Sequence, residues 1–231
     1  MTDISLLEVF QICDSTFPVG TFNHSYGMEN FLYERKIKYA SDVRTWLKDY
    51  YSTQFSYGEG LAVLLTYDAL HEKRFNDILV IDELLTTSMS AHDTRKGSIL
   101  IASQMIQLLK RIYGDDIPYL GEYEKCIVAD EAYGNPAIVF AMQTHKKKID
   151  KQSAYLMYGY NVGSTLIQNA VRAVPLGQKD GQVILHDLIC YLPELLKKSE
   201  QLSADDIGAS APGLEIAQIC HETQPARLFM S

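Results

Sequence analysis

The sequence predicts an all-α protein, a single compact bundle of about ten helices. Three observations predict it. Apolar residues recur three and four positions apart for most of the length, which is the spacing of a helix face and not the alternation of a strand. Prolines and glycines fall mainly between those periodic runs, where they stop helices. The 231 residues, 47% of them apolar, can bury one core, and no internal repeat of fixed period divides them. The expected organisation is one domain over 1–231, with the segment 1–20 and the tail 221–231 as its two distinctive ends.

In chain order, Ser5 with Glu8 three residues on has the reciprocal pattern of a capping box, and opens a helix that ends near Asp14. Pro18 and Gly20 break the chain. A second helix is expected from Thr21, carrying His24, Met28, Phe31 and Leu32 on neighbouring turns. Ser41 or Asp42 begins a third, with Val43, Trp46, Leu47, Tyr50 and Tyr51 as its stripe. Gly58 and Gly60 interrupt it, and Leu61–Leu70 follows as a short apolar helix. Asn76–Ser90 and the long His92–Tyr113 come next; Ile99, Ala102, Met105, Ile106 and Leu109 trace the buried face of the latter.

Gly114 and Pro118 stop that helix, and Tyr119–Ala132 and Pro136–His145 follow, separated by a Gly134-Asn135-Pro136 turn with proline placed to open a helix. Asp150 caps the longest helix, Lys151–Val174. Gly159 and Gly163 lie one turn apart in it, each costing about 1 kcal/mol against alanine, so another backbone is expected to pack close there. Pro175 and Gly177 end it. Gln182–Lys198 has Pro193 as a kink or stop, Ser203–Ser210 reads as a polar linker, and a short helix at Leu214–Cys220 precedes the tail.

Composition narrows function. A formal charge of −8, with Lys146–Lys148 as the only lysine triplet, disfavours nucleic-acid binding, which needs a concentrated positive face. No apolar run approaches the roughly 20 residues that cross a bilayer. MTDISLLEVFQICDS has no basic leader region, so it does not read as a signal peptide. Four cysteines without a CxxC pair suggest reduced thiols and a cytoplasmic setting.

The motifs of catalysis fail one by one. His71-Glu72 and His221-Glu222 begin like HExxH, but Phe75 and Pro225 stand where the second imidazole must be. Ser15, Ser25 and Ser164 lack a nucleophile-elbow context, and no P-loop or GxGxxG occurs. Asp115-Asp116 and Asp205-Asp206 read as solvated turn residues. The expectation is therefore no catalytic residue, no cofactor and no metal site within one chain; a site completed by a second copy stays open.

What stands out is surface machinery. QICDSTFPVGTFNHSYGMENFL at 11–32 and GLEIAQICHETQPARLFMS at 213–231 are too specific for generic core, and both read as docking surfaces. Leu228, Phe229 and Met230 each gain roughly 1.5–3 kcal/mol if buried, so the tail is either a frayed end or a plug for a pocket, on its own domain or a partner. Arg172, followed by Pro175, Gly177 and Gln178, either complements a helix C-terminus or grips a partner; Arg95, two residues before Gly97, has the same dual reading. Among 15 tyrosines, Tyr155, Tyr158 and Tyr160 ride with Gly159 and Gly163, as core packing or as a tyrosine-rich subunit interface formed by Tyr155, Gly159 and Gly163.

These residues resemble the UreF family of urease accessory proteins. The likeness rests on CDSTFPVGTFNHSYGMENFL at 13–32, DTRKGSILIASQM at 93–105, THKKKIDKQSAYLMYGYNVGSTLIQNAVRAVPLGQKDGQ at 144–182 and the ending HETQPARLFMS. It implies an all-α homodimer with no activity of its own. Such proteins join the urease accessory proteins D (H in some organisms) and G, a GTPase, to deliver nickel to apo-urease. It assigns Phe17, Pro18, Gly20, His24, Ser25, Glu29, Arg227, Leu228 and Phe229 to the D/H surface, and Arg172, Gly177 and Gln178 to the GTPase face. Two other roles stay open: a GTPase-activating regulator lending Arg172 or Arg95, and a nickel metallochaperone using His24 or His221.

Overall fold

The computed structural model describes residues 3–209 and 211–231. Met1 and Thr2 of the N-terminal segment, and Ser210 at the end of the expected linker, lie outside the described residues. Eleven α-helices and no strand occur among the described residues: α1 Asp3–Cys13, α2 Met28–Tyr33, α3 Ala40–Tyr50, α4 Glu59–His71, α5 Phe75–Ser88, α6 His92–Tyr113, α7 Leu120–Val128, α8 Pro136–Lys146, α9 Lys151–Ala173, α10 Gln178–Ser199 and α11 Pro212–His221.

The centre is α4 packed on α8. Both are buried on nearly every side, including all residues from Pro136 to Thr144, as expected of helices that other helices surround. Asn135 starts α8 by accepting a hydrogen bond from the Ala137 amide at 2.9 Å, with Pro136 in the first turn. α9 lies against α4 and α8, and α10 covers its other side. Asp150 caps α9 through the Ser153 amide at 2.7 Å.

The expected close approach at Gly159 and Gly163 is real, but side chains of the same chain make it. A Cβ on Gly163 would stand 2.1 Å from Leu188 Cδ2 of α10 and 2.8 Å from the Tyr51 hydroxyl. That hydroxyl donates to the Gly159 carbonyl at 2.5 Å. Tyr155 is fully buried beside Phe55, with its hydroxyl 3.1 Å from Ser199 Oγ. The interface reading of Tyr155, Gly159 and Gly163 is thereby corrected: their contacts are spent inside one chain, and they present no surface to a second copy.

Other boundaries shift for local reasons. α1 already runs through Ser5, so that residue does not cap it. Asp42 accepts from the Lys38 and Tyr39 amides at 2.9 and 3.0 Å, which starts α3 two residues before that aspartate. Pro193 neither stops nor ends α10. It sits on the exposed side, where water can serve the carbonyl its missing N–H leaves free. The helix expected from Thr21 is two pieces: a single turn at Thr21–Asn23, then α2 from Met28, with His24 extended between them.

Candidate functional site: the meeting of the two chain ends

After α1, Asp14 accepts from the Thr16 amide and hydroxyl at 2.7 and 2.5 Å and turns the chain. Phe17 and Val19 then bury themselves beside Ile12, Ile101, Met105 and Tyr158, while Pro18 between them faces outward. Gly20 and Gly27 adopt φ of 85° and 84°, the left-handed region where a side chain is strained. At Gly27 a Cβ would also stand 2.9 Å from Gln218 Cγ, so α11 could not come as close. These two turns bracket an extended His24 and leave the Asn23 carbonyl and the Ser25 amide free to pair.

The tail takes those groups. The Met230 amide donates to the Asn23 carbonyl at 2.7 Å and the Ser25 amide to the Ser231 carbonyl at 2.5 Å. An extended segment alternates its side chains, so Phe229 and Ser231 point in and are buried while Leu228 and Met230 point out, 52% and 55% exposed. Glu29 secures the arrangement. One of its oxygens accepts the Leu228 amide at 2.5 Å; the other accepts the Phe229 amide at 3.0 Å and lies 2.7 Å from His221 Nε2. One carboxylate thus gathers donors from α11 and the tail onto the N-terminal segment.

His24 completes the join. Its Nδ1 lies 2.7 Å from Ser231 Oγ, and its carbonyl accepts from Asn169 Nδ2 of α9 at 2.8 Å. The imidazole fills the space above Gly97, where a Cβ would lie 2.4 Å from the ring. Burial lowers its pKa to about 4, so the ring is neutral at physiological pH. A histidine next to a serine hydroxyl invites a nucleophile reading. Here both groups are closed to solvent, and no carboxylate among the described residues orients the ring.

Arginines bracket the tail. Arg172 places its guanidinium 5.4 Å over the Phe229 ring, and its Nη1 is 3.4 Å from the Phe22 carbonyl. Arg227 Nη1 reaches Asp93 Oδ2 of α6 at 2.7 Å. Partial burial pushes the Asp93 carboxyl up, but hydrogen bonds from Arg227 and His92 outweigh it and hold the group below its usual range. Arg95 donates to the Met89 carbonyl at 2.6 Å and is half-buried. Gly177 and Gln178 stand exposed where α10 begins.

The structure therefore brings together His24, Ser25, Glu29, Leu228 and Phe229, joins Arg172 to them through the Phe229 ring, and ties the adjacent Arg227 to Asp93; Phe17 packs instead with α6 and α9 residues, and Pro18 and Gly20 lie on the loop between. Sequence reasoning missed Asn169, Gly97 and the Asn23 backbone. Only a glycine mid-helix signalled one of these, because a buried amide and a main-chain acceptor carry no local pattern. Among the described residues no three histidine, cysteine, aspartate or glutamate side chains gather as metal ligands, and no helix is long and apolar enough to cross a membrane.

The UreF family sequence profile matches residues 37–189, well over half the chain. The chain belongs to the UreF family. Its relatives extend the match to both ends. It is 45% identical over 225 residues to a urease accessory protein UreF of Streptococcus salivarius (strain 57.I), covering 97% of this chain and 94% of that one. A urease accessory protein UreF of Bacillus sp. (strain TB-90) is 39% identical, with 98% and 99% covered. One from Lachnoclostridium phytofermentans is 35% identical, with 99% and 100% covered. The family profile leaves out residues 1–36 and 190–231, whereas the matches to these relatives span nearly the whole chain.

Proposed function

We propose that this UreF-family chain is a non-catalytic scaffold of urease maturation, joining the D/H accessory protein and the G-protein GTPase so that nickel reaches apo-urease. The observation that carries it is the tail. Its backbone is folded onto residues 23–25 and Glu29, and yet Leu228 and Met230 are left outward with Phe22 also exposed. Apolar side chains held outward by a fixed backbone suit a partner surface. The D/H protein would take the tail and the N-terminal segment around Phe17–Glu29, and the GTPase would take Arg172, Gly177 and Gln178. Binding on one surface would bias the nucleotide state on the other.

Homodimerisation fits the adjoining helices α2 and α11, where Tyr33, Ile216 and Ile219 are exposed. The four cysteines are unpaired, which suits a reducing cytoplasm. A GTPase-activating role keeps one supporting observation, the exposure of Arg172; Arg95 is already committed to Met89. The metallochaperone reading loses its ligands, since His24 and His221 are buried and each has a side-chain partner.

The test is Leu228→Asp with Met230→Asp, two exposed positions, in cells expressing the D/H and G proteins. The complex should no longer co-purify while the helical signal is unchanged. Co-purification at the wild-type level removes the tail from the docking surface. Single-turnover GTP hydrolysis with Arg172→Ala separates the two roles: lost acceleration favours the activating regulator, and unchanged or slowed hydrolysis favours the scaffold.

A further inference from the structure

The outward face of α10 carries a chemical pair that the docking surfaces do not use. His186 and Cys190 are four residues apart on the helix, both exposed, with Nε2 and Sγ 3.7 Å from one another. Neither side chain has another partner among the described residues.

We propose that His186 and Cys190 form a two-ligand surface site for a borderline-soft divalent cation of the zinc, cobalt or nickel class. Metal bonds of about 2.0 Å to imidazole and about 2.3 Å to thiolate, meeting near the tetrahedral angle, set nitrogen and sulfur about 3.5 Å apart. The pair stands within a few tenths of an ångström of that spacing, so an ion can be seated by small side-chain rotations alone. A neutral imidazole and a thiolate are the donors such ions prefer over carboxylates. Binding replaces the thiol proton by the metal and releases that proton to solvent. The net charge of −8 favours accumulation of cations at the surface.

No other cysteine offers the combination. Burial pushes the Cys13 thiol up to about 12, and burial together with Glu131 raises that of Cys126. Cys220 is exposed, but the neighbouring His221 is buried against Glu29. With no third ligand side chain among the described residues, the remaining coordination positions fall to water or to a side chain of another molecule.

The purified chain titrated with Co²⁺ should show the near-ultraviolet thiolate-to-cobalt band with stoichiometric proton release. Cys190→Ser and His186→Ala should each lose both signals with unchanged circular dichroism, because the two positions are exposed. Absence of the band in the wild type overturns the site. Persistence in Cys190→Ser assigns the band to another thiol, and persistence in His186→Ala shows the thiol acting alone; either result overturns the pair.

Discussion

His24 and Ser231, 207 positions apart in the chain, meet through a 2.7 Å contact between imidazole Nδ1 and hydroxyl Oγ in a place closed to solvent. The two ends of the protein are therefore one structural unit, and a change at either should be felt at the other.

Histidine protonation is the first test. The ordinary pKa of 6.5 falls to about 4 when His24 is buried, so the folded state resists taking the proton. The stability this contributes is present above about pH 6.5 and is lost as pH falls through 4, about 3 kcal/mol in all. Between about pH 4.5 and 6.5 His24→Gln should remove that rise, so that the urea midpoint of the variant falls with pH where that of wild type stays nearly level.

Glu59 should act in the opposite direction. Burial raises its pKa from 4.5 to about 7, and neither carboxylate oxygen meets the geometry of a hydrogen bond. The folded state holds its proton more tightly than the unfolded chain does. Its contribution is thus fully present below about pH 4.5 and lost as pH rises through 7, again about 3 kcal/mol. The two slopes largely cancel between pH 4.5 and 6.5. Denaturation of Glu59→Gln should expose the His24 slope in that range, and the variant should gain stability over wild type at pH 8.

Glu29→Gln keeps the side-chain volume but turns an amide NH2 toward backbone or imidazole donors. The loss should be about 1–3 kcal/mol. Carboxypeptidase, followed by mass spectrometry, should release the last residues from the variant well before it does so from wild type. Equal rates would mean that the tail is held by its remaining contacts, the Phe229 burial, His24 and the backbone pairing with Asn23 and Ser25, without help from Glu29.

Gly163→Ala tests the α9–α10 seam. The added methyl meets Leu188 and the Tyr51 hydroxyl, an overpacking cost of about 1–3 kcal/mol set against about 1 kcal/mol of helix propensity. A net fall in melting temperature is expected, larger than for Gly213→Ala, where a Cβ meets nothing within 4 Å.

Much of the fold was legible in the residues. The apolar spacing of His92–Tyr113 matches α6 at both ends, and Asn135-Pro136 and Asp150 open α8 and α9 as their chemistry requires. The segment Thr21–Leu32 misled, because its helical spacing of His24, Met28 and Phe31 competes with glycines at 20 and 27 that adopt left-handed backbone. The unusual composition of both ends was also visible, but the burial cost shared by Leu228, Phe229 and Met230 could not say that only Phe229 would turn inward.

Taken alone, the sequence determined an all-α chain, its main helix boundaries and its two distinctive ends, since capping, periodicity and proline chemistry act within a few residues. Tertiary structure decided that Gly163 receives Leu188 and Tyr51 from its own chain, that Phe229 turns inward while Leu228 and Met230 turn outward, and that Glu29 binds the tail. Those outcomes depend on groups outside any local window, Leu188 in the following helix and Tyr51 and the tail more than a hundred residues from their partners, whose approach is governed by the packing of α4, α8, α9 and α10 and leaves no trace in local spacing.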